Sequence, residues 1–116
     1  MGEQMMSKKD DLAKTAESLL DPGEQLLAFT VGSIGESPLE SLVVLTSTRI
    51  RLASGAGGPN IELSNIKRIA WSGLWARLNI ETKSPKKKYV ISVYGGEWKA
   101  EAKRLGELAD TMVPAS

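Results

Sequence analysis

The sequence predicts a mainly β fold: an antiparallel sheet or barrel of about seven short strands, capped by a C-terminal α-helix, with an extra N-terminal helix. Three observations carry this. Between residues 24 and 94, short runs of alternating or wholly apolar residues are separated by turn residues. From Glu97 onward the apolar period changes to a helical stripe. A chain of 116 residues has the size of one domain.

Residues 8–20 form the first element. Ser7 can cap a helix there, Asp10 stands three residues on, and Asp10 and Asp11 suit the positive end of the helix dipole. Leu12, Ala16, Leu19 and Leu20 share one face, and Asp21-Pro22-Gly23 stops the helix. In "EQLLAFTVG", Leu27, Phe29 and Val31 alternate with Ala28 and Thr30, a strand. "SIGESPLE" breaks it with Gly35 and Pro38. "SLVVLT" is apolar on both faces, as in a central strand, whereas "TRIRLAS" alternates and has one wet face, on which Arg49 and Arg51 fall. "GAGGPN" is a loop, and "IELSNIKRIAWS" holds one or two short strands. After "SGL", Ala76, Leu78 and Ile80 oppose Arg77, Asn79 and Glu81; "SPKK" then turns into "KYVISVY". Gly95-Gly96 ends the last strand, and Trp98, Ala102, Leu105, Leu108 (or Ala109) and Met112 form the closing helix's apolar stripe up to Pro114. The expected organisation is an N-terminal helix and linker at 1–22, a β domain at 23–113, and a tail at 114–116.

The net charge of +1 hides a segregated distribution: minus five over residues 1–48, plus seven over 49–89, and minus one over 90–116. Cysteine and histidine are both absent. That removes disulfides, thiolate and imidazole metal ligands, the cysteine nucleophile and the commonest general base, so no cofactor, metal site or catalytic set is expected. Glu62, Glu81, Ser64 and Ser92 do not by themselves form one. The start, MGEQMMSKKD, is polar, and Gly2 is followed by Met6 where a myristoylation signal has Ser or Thr, so a soluble cytoplasmic protein is expected.

Gly23-Glu24-Gln25-Leu26, then Leu45-Thr46-Ser47-Thr48-Arg49-Ile50, then Ile61, Leu63, Ile66 and Ile69 before a glycine-containing turn and an "I-x-I" type strand, occur in an order that resembles the bacterial pleckstrin-homology-like domains and, more distantly, the GRAM domains. The resemblance runs over about residues 20–112. It implies a bent seven-stranded sheet capped by one helix, used as a non-catalytic scaffold for lipid headgroups, peptides or partner domains. Arg49 recurs in the family hairpin, which suggests a fold role as much as a binding role: it is either an anion-binding residue on the sheet or, the reading preferred here, a structural arginine that pairs with a carboxylate or turn carbonyls and fixes the hairpin. Pleckstrin domains that bind phosphoinositides gather bases in the loop between their first two strands. Here residues 33–40 carry Glu36 and Glu40 and no base, so specific phosphoinositide binding is not expected.

Two surface candidates remain. Trp71 and Trp75 bracket a turn with Leu74, and the three form the candidate partner-binding set; the indoles serve either as packing under a barrel rim or as an anchor for a partner. Lys83, Lys86, Lys87 and Lys88 crowd the "KSPKKK" turn, with Arg77 as an extension, and form the candidate contact with anions or membranes. A protein partner or a second copy is expected first, and weak attachment to anionic lipid is the alternative. Nucleic acid is not expected, because the bases are not interleaved with aromatics.

Overall fold

The alternation builds one antiparallel sheet. A computed structural model of the chain describes residues 8–35, 40–53 and 58–113. Helix α1 (Lys8–Ser18) precedes β1 (Leu26–Ile34), β2 (Glu40–Thr46), β3 (Arg49–Ala53) and β4 (Asn60–Glu62). A single 3-10 turn (Leu63–Asn65) leads to β5 (Ile66–Ser72), β6 (Arg77–Thr82) and β7 (Lys88–Ser92), and α2 (Gly96–Met112) closes the chain. The strand order is β4-β3-β2-β1-β7-β6-β5. Ser7, Gly2, Glu36, Pro38, the glycines of 55–57 and Pro114 lie outside the described residues.

Two meanders, β1–β4 and β5–β7, meet at a narrow seam where, among the described residues, β1 and β7 pair through Ser33 with Ser92 and Ile34 with Ile91. Their inner faces share one core. Val43, Leu45, Ile50 and Leu52 from one half meet Ile66, Ile69, Leu78, Ile80 and Ile91 from the other, under Ala102, Leu105 and Ala109 of α2. The helix stripe predicted from spacing is this contact, with Trp98, Leu108 and Met112 half-buried at its margins. Gly106 joins the buried stripe because a Cβ there would stand 3.0 Å from Leu78 Cδ1 and 3.5 Å from Trp71 Cβ.

Strand β2 is apolar on both faces for two different reasons. Val43 and Leu45 enter the main core. Leu42 and Val44 point the other way and, with Val31, are covered by Ala16, Leu12 and Leu19 at the N-terminal helix. The N-terminal helix thus packs on the outer face of β1 and β2 in a cluster of its own, ending at Ser18, two residues before the predicted end. Trp98 touches both clusters. Its ring lies 6.1 Å from that of Phe29 at 53°, and its carbonyl accepts the Thr30 hydroxyl at 2.8 Å.

Arg49 does not lie on a wet face, contrary to the alternation argument. Its side chain is 12% exposed, because Nε and Nη2 donate to the two oxygens of Glu24 at 3.0 Å each. Nη2 also reaches Asp21 at 3.0 Å and the Leu19 carbonyl at 3.4 Å. Glu24, 6% exposed, further accepts the hydroxyls of Thr46 and Thr48 and the Asp21 N–H. Thr46 Oγ1 in turn accepts the N–H groups of Thr48 and Arg49 across the β2–β3 turn. Two of the three segments that carry the resemblance, through Glu24 in one and Thr46, Thr48 and Arg49 in the other, are therefore partners in one network that ties the linker after α1 to the β2–β3 hairpin.

Burial alone would raise the Glu24 pKa. Hydrogen bonds from the Asp21 N–H, Thr48, Thr46 and Arg49 outweigh it and hold the carboxyl at about 2 instead of 4.5. A carboxyl depressed on folding adds stability that is complete above pH 4.5 and lost as pH falls toward about 2. The full shift corresponds to about 3 kcal/mol, and solvent beside the exposed Asp21 screens it to about 2 kcal/mol. Denaturant unfolding followed across that pH range should show this loss, and Glu24→Gln should flatten the profile there. A wild-type profile already flat below pH 4.5 would refute the linkage.

Candidate docking surface

The turn between β5 and β6 is built to display its middle. Ala76 adopts a left-handed backbone at φ 53°, which costs a non-glycine residue about 1 kcal/mol. Its carbonyl accepts the Val93 N–H at 2.9 Å, which ties the turn to the chain leaving β7. Leu74 and Trp75, between Gly73 and Ala76, are left 84% and 68% exposed. Tyr94, just beyond β7 and outside the sequence-predicted set, is 65% exposed. A shallow cleft of about 360 Å³ is lined by Gly73, Leu74, Trp75, Ala76, Arg77, Ser92, Val93, Tyr94 and Lys99. Two of these side chains are cationic and none is acidic.

Trp71 differs from this group in burial. It pairs with Leu78 on the inner face and packs half-buried against the core beneath α2. The candidate set of Trp71, Leu74 and Trp75 thus divides into one packing residue and two displayed ones.

The lysine turn lies at the other end of β6. Lys83, Lys86, Lys87 and Lys88 are all exposed. Thr82, itself buried, donates its hydroxyl to the Pro85 carbonyl at 2.6 Å and accepts the Lys87 N–H at 3.0 Å. The Ser84 N–H donates to Asn65 Oδ1 at 3.1 Å, and that of Lys83 to the Asn65 carbonyl at 2.8 Å. The turn is thus fixed to the 3-10 turn while its four ammonium groups reach water. Arg77 is not part of it. Six residues of extended chain, about 20 Å, separate Arg77 from Lys83, and the arginine belongs instead beside Leu74 and Trp75.

Between β4 and the lysine turn, Pro59, Asn60, Ile61, Asn65, Thr82, Pro85, Lys87 and Tyr89 line a second cleft of about 420 Å³. Glu81, opposite both Arg68 and Lys88 in register, lies on the outer face away from it. Among the described residues no group of three acids is placed to hold a metal ion, and no helix is long and apolar enough to cross a membrane.

No family model matches the chain, and no curated protein does. Solved structures do. The chain is similar to the linker-DH/PH domains of p115-RhoGEF, with a TM-score of 0.59 and 10% identity over 86% of this chain and 33% of that one. It is likewise similar to the DH/PH domains of a p115-RhoGEF mutant, with a TM-score of 0.60 and 9% identity over 95% of this chain and 37% of that one. The chain spans about a third of the length of these structures. At such identities the likeness is one of fold: the seven-stranded antiparallel sheet with its C-terminal helix is pleckstrin-homology-like.

Proposed function

We propose that this chain is a non-catalytic binding module of the bacterial pleckstrin-homology-like kind, and that it docks through the end formed by Leu74, Trp75 and Tyr94. The observation that carries the reading is the exposure of three large apolar side chains at one place, 84%, 68% and 65%. A folded domain seldom leaves such a group in water unless something else covers it. The motif order and the fold support the scaffold reading, and the lack of histidine and cysteine lowers the case for catalysis.

The test compares wild type with Leu74→Ser/Trp75→Ser in extracts of its own cells. Wild type should travel with a larger assembly or with the membrane pellet, and the double variant as the free chain. Both substitutions are on the surface, so unfolding midpoints should agree within about 0.5 kcal/mol. Wild type recovered wholly as the free chain would overturn the proposal.

A second reading is favoured by the four exposed ammonium groups of the lysine turn. At about 1 kcal/mol each they supply at most about 4 kcal/mol toward an anionic membrane, which is millimolar binding. That is enough to assist another anchor, not to hold the chain alone.

A further inference from the structure

We infer that the Leu74–Trp75–Tyr94 end is a membrane-inserting tip, which enters the interface of an anionic bilayer with Arg77 and Lys99 at the lipid phosphates. This rests on the reading of that end as the docking surface and names what it meets. Three features select a bilayer over a protein.

The first is shape. Leu74 and Trp75 occupy the middle of a four-residue turn at the tip of a strand pair, and their exposure shows that no other part of the described chain surrounds them. A projecting apolar point suits a soft surface that closes around it. The second is side-chain type. An indole and a phenol each join an apolar body to a polar N–H or O–H, the combination favoured where hydrocarbon meets headgroups. Leu74 adds a purely apolar side chain beside them. The third is charge. Arg77 and Lys99 line the cleft beside the tip and no acid does. An anionic lipid surface complements that pair, whereas a second copy meeting the tip face to face would set cation against cation. The Val93–Ala76 hydrogen bond holds the turn in shape beforehand, so little chain has to be ordered on docking.

The geometry also distinguishes this contact from the lysine turn. Entry along the β6 axis leaves Lys83, Lys86, Lys87 and Lys88 about 20 Å behind the tip, beyond a Debye length of about 8 Å. The two ends are therefore separable by substitution.

The experiment uses the full chain and vesicles of phosphatidylcholine with or without phosphatidylserine. Wild type should co-sediment with the mixed vesicles at low salt and several-fold less with phosphatidylcholine alone. Leu74→Ser/Trp75→Ser should lower the partition coefficient about tenfold or more, and Arg77→Gln/Lys99→Gln should abolish the preference for phosphatidylserine. Lys86→Glu/Lys87→Glu/Lys88→Glu should keep most of the binding. The chain has no cysteine, so Leu74→Cys or Lys87→Cys can carry a single environment-sensitive dye. The dye should shift to the blue on vesicles at position 74 and not at position 87.

Three results would overturn the inference. One is the absence of sedimentation with either vesicle. Another is binding that survives the Leu74/Trp75 variant and is lost in the lysine variant, which assigns the membrane to the lysine turn. The third is a soluble assembly that the Leu74/Trp75 variant dissolves while vesicles bind neither protein. In that last case the docking surface stands and its partner is protein. If neither vesicles nor an assembly respond to the tip, the docking reading falls as well.

Discussion

Arg49→Met should destabilise the fold by about 3 kcal/mol, at the lower edge of the range for breaking a buried ion pair, which for a domain of this size lowers the thermal midpoint by roughly 10–15 °C. The reason is what the substitution leaves behind. Glu24 is 6% exposed and would lose both of its guanidinium hydrogen bonds at 3.0 Å. The hydroxyls of Thr46 and Thr48 and the Asp21 N–H would still donate to it, so the carboxylate would be undersolvated and not wholly orphaned, which places the cost below the top of that range. The variant also cuts the tie from β3 to the Leu19 carbonyl and Asp21, loosening the linker that carries the N-terminal helix. Pairing it with Glu24→Gln should restore part of the loss, because the amide needs no cation. Arg49→Lys should fall between, since an ammonium cannot bind both oxygens in parallel. Denaturant midpoints of the four proteins decide it. A single-variant loss below about 1 kcal/mol, or a double variant less stable than the single, would show that the pair is peripheral.

Much of the architecture was legible because it is local. Period-two alternation marked β3, β6 and β7, and the stripe from Trp98 to Met112 marked the helix that covers the core. Alternation cannot say whether a polar side chain is wet. Arg49 alternates with Ile50 as a solvated residue would, and is withdrawn from water by a carboxylate 25 positions earlier in the chain. The apolar outer face of β2 posed the converse problem. Nothing within the strand tells that Leu42 and Val44 await a helix that precedes β1.

The proposed docking end was half legible. Proximity in sequence joined Trp71 to Trp75 and Arg77 to the lysines; the structure buries Trp71 more than Trp75 and sets Arg77 and the lysines at opposite ends of β6. Strand parity held the first answer: Trp71 follows Ile69 by two and so shares its inward face, while Ser72 and Arg77 face out. The second follows from strand direction, since a strand places the turns before and after it at opposite ends. Tyr94 continues the outward series Val90, Ser92. Its neighbourhood with the Trp75 turn needed the hydrogen bond from Val93 to Ala76, a contact between chain segments 17 residues apart that no local pattern announces.

The seam between the two halves of the sheet sets the last expectation: Gly32→Val should destabilise the domain by about 3 kcal/mol, the upper part of the range for inserting bulk where there is no space, and Gly32→Ala by about 2 kcal/mol. Gly32 has an ordinary extended backbone, so the cost is one of room. A Cβ built there meets Ile91 Cγ2 at 2.6 Å, the Ser92 carbonyl oxygen at 2.8 Å and Val93 Cγ2 at 3.2 Å. The methyl groups can turn aside, but the carbonyl belongs to the strand that Gly32 crosses and moves only with it. That strand is joined to β1 by two residue pairs, Ser33 with Ser92 and Ile34 with Ile91, so the displacement falls on the strand junction between the meanders. Beyond it, the Gly35 N–H donates to the Val90 carbonyl at 2.8 Å. Amide exchange should therefore accelerate first at Ser33 to Gly35, ahead of the hairpin from β2 to β3. Gly73→Ala is the matched control, because the nearest atom to its added carbon is Trp71 Nε1 at 3.8 Å. It should shift the unfolding midpoint by no more than about 0.5 kcal/mol. Equal midpoints for Gly32→Ala and Gly73→Ala would mean that β1 and β7 lie farther apart than these contacts place them, and the two halves of the sheet would then have to be held together by their shared core and the helix.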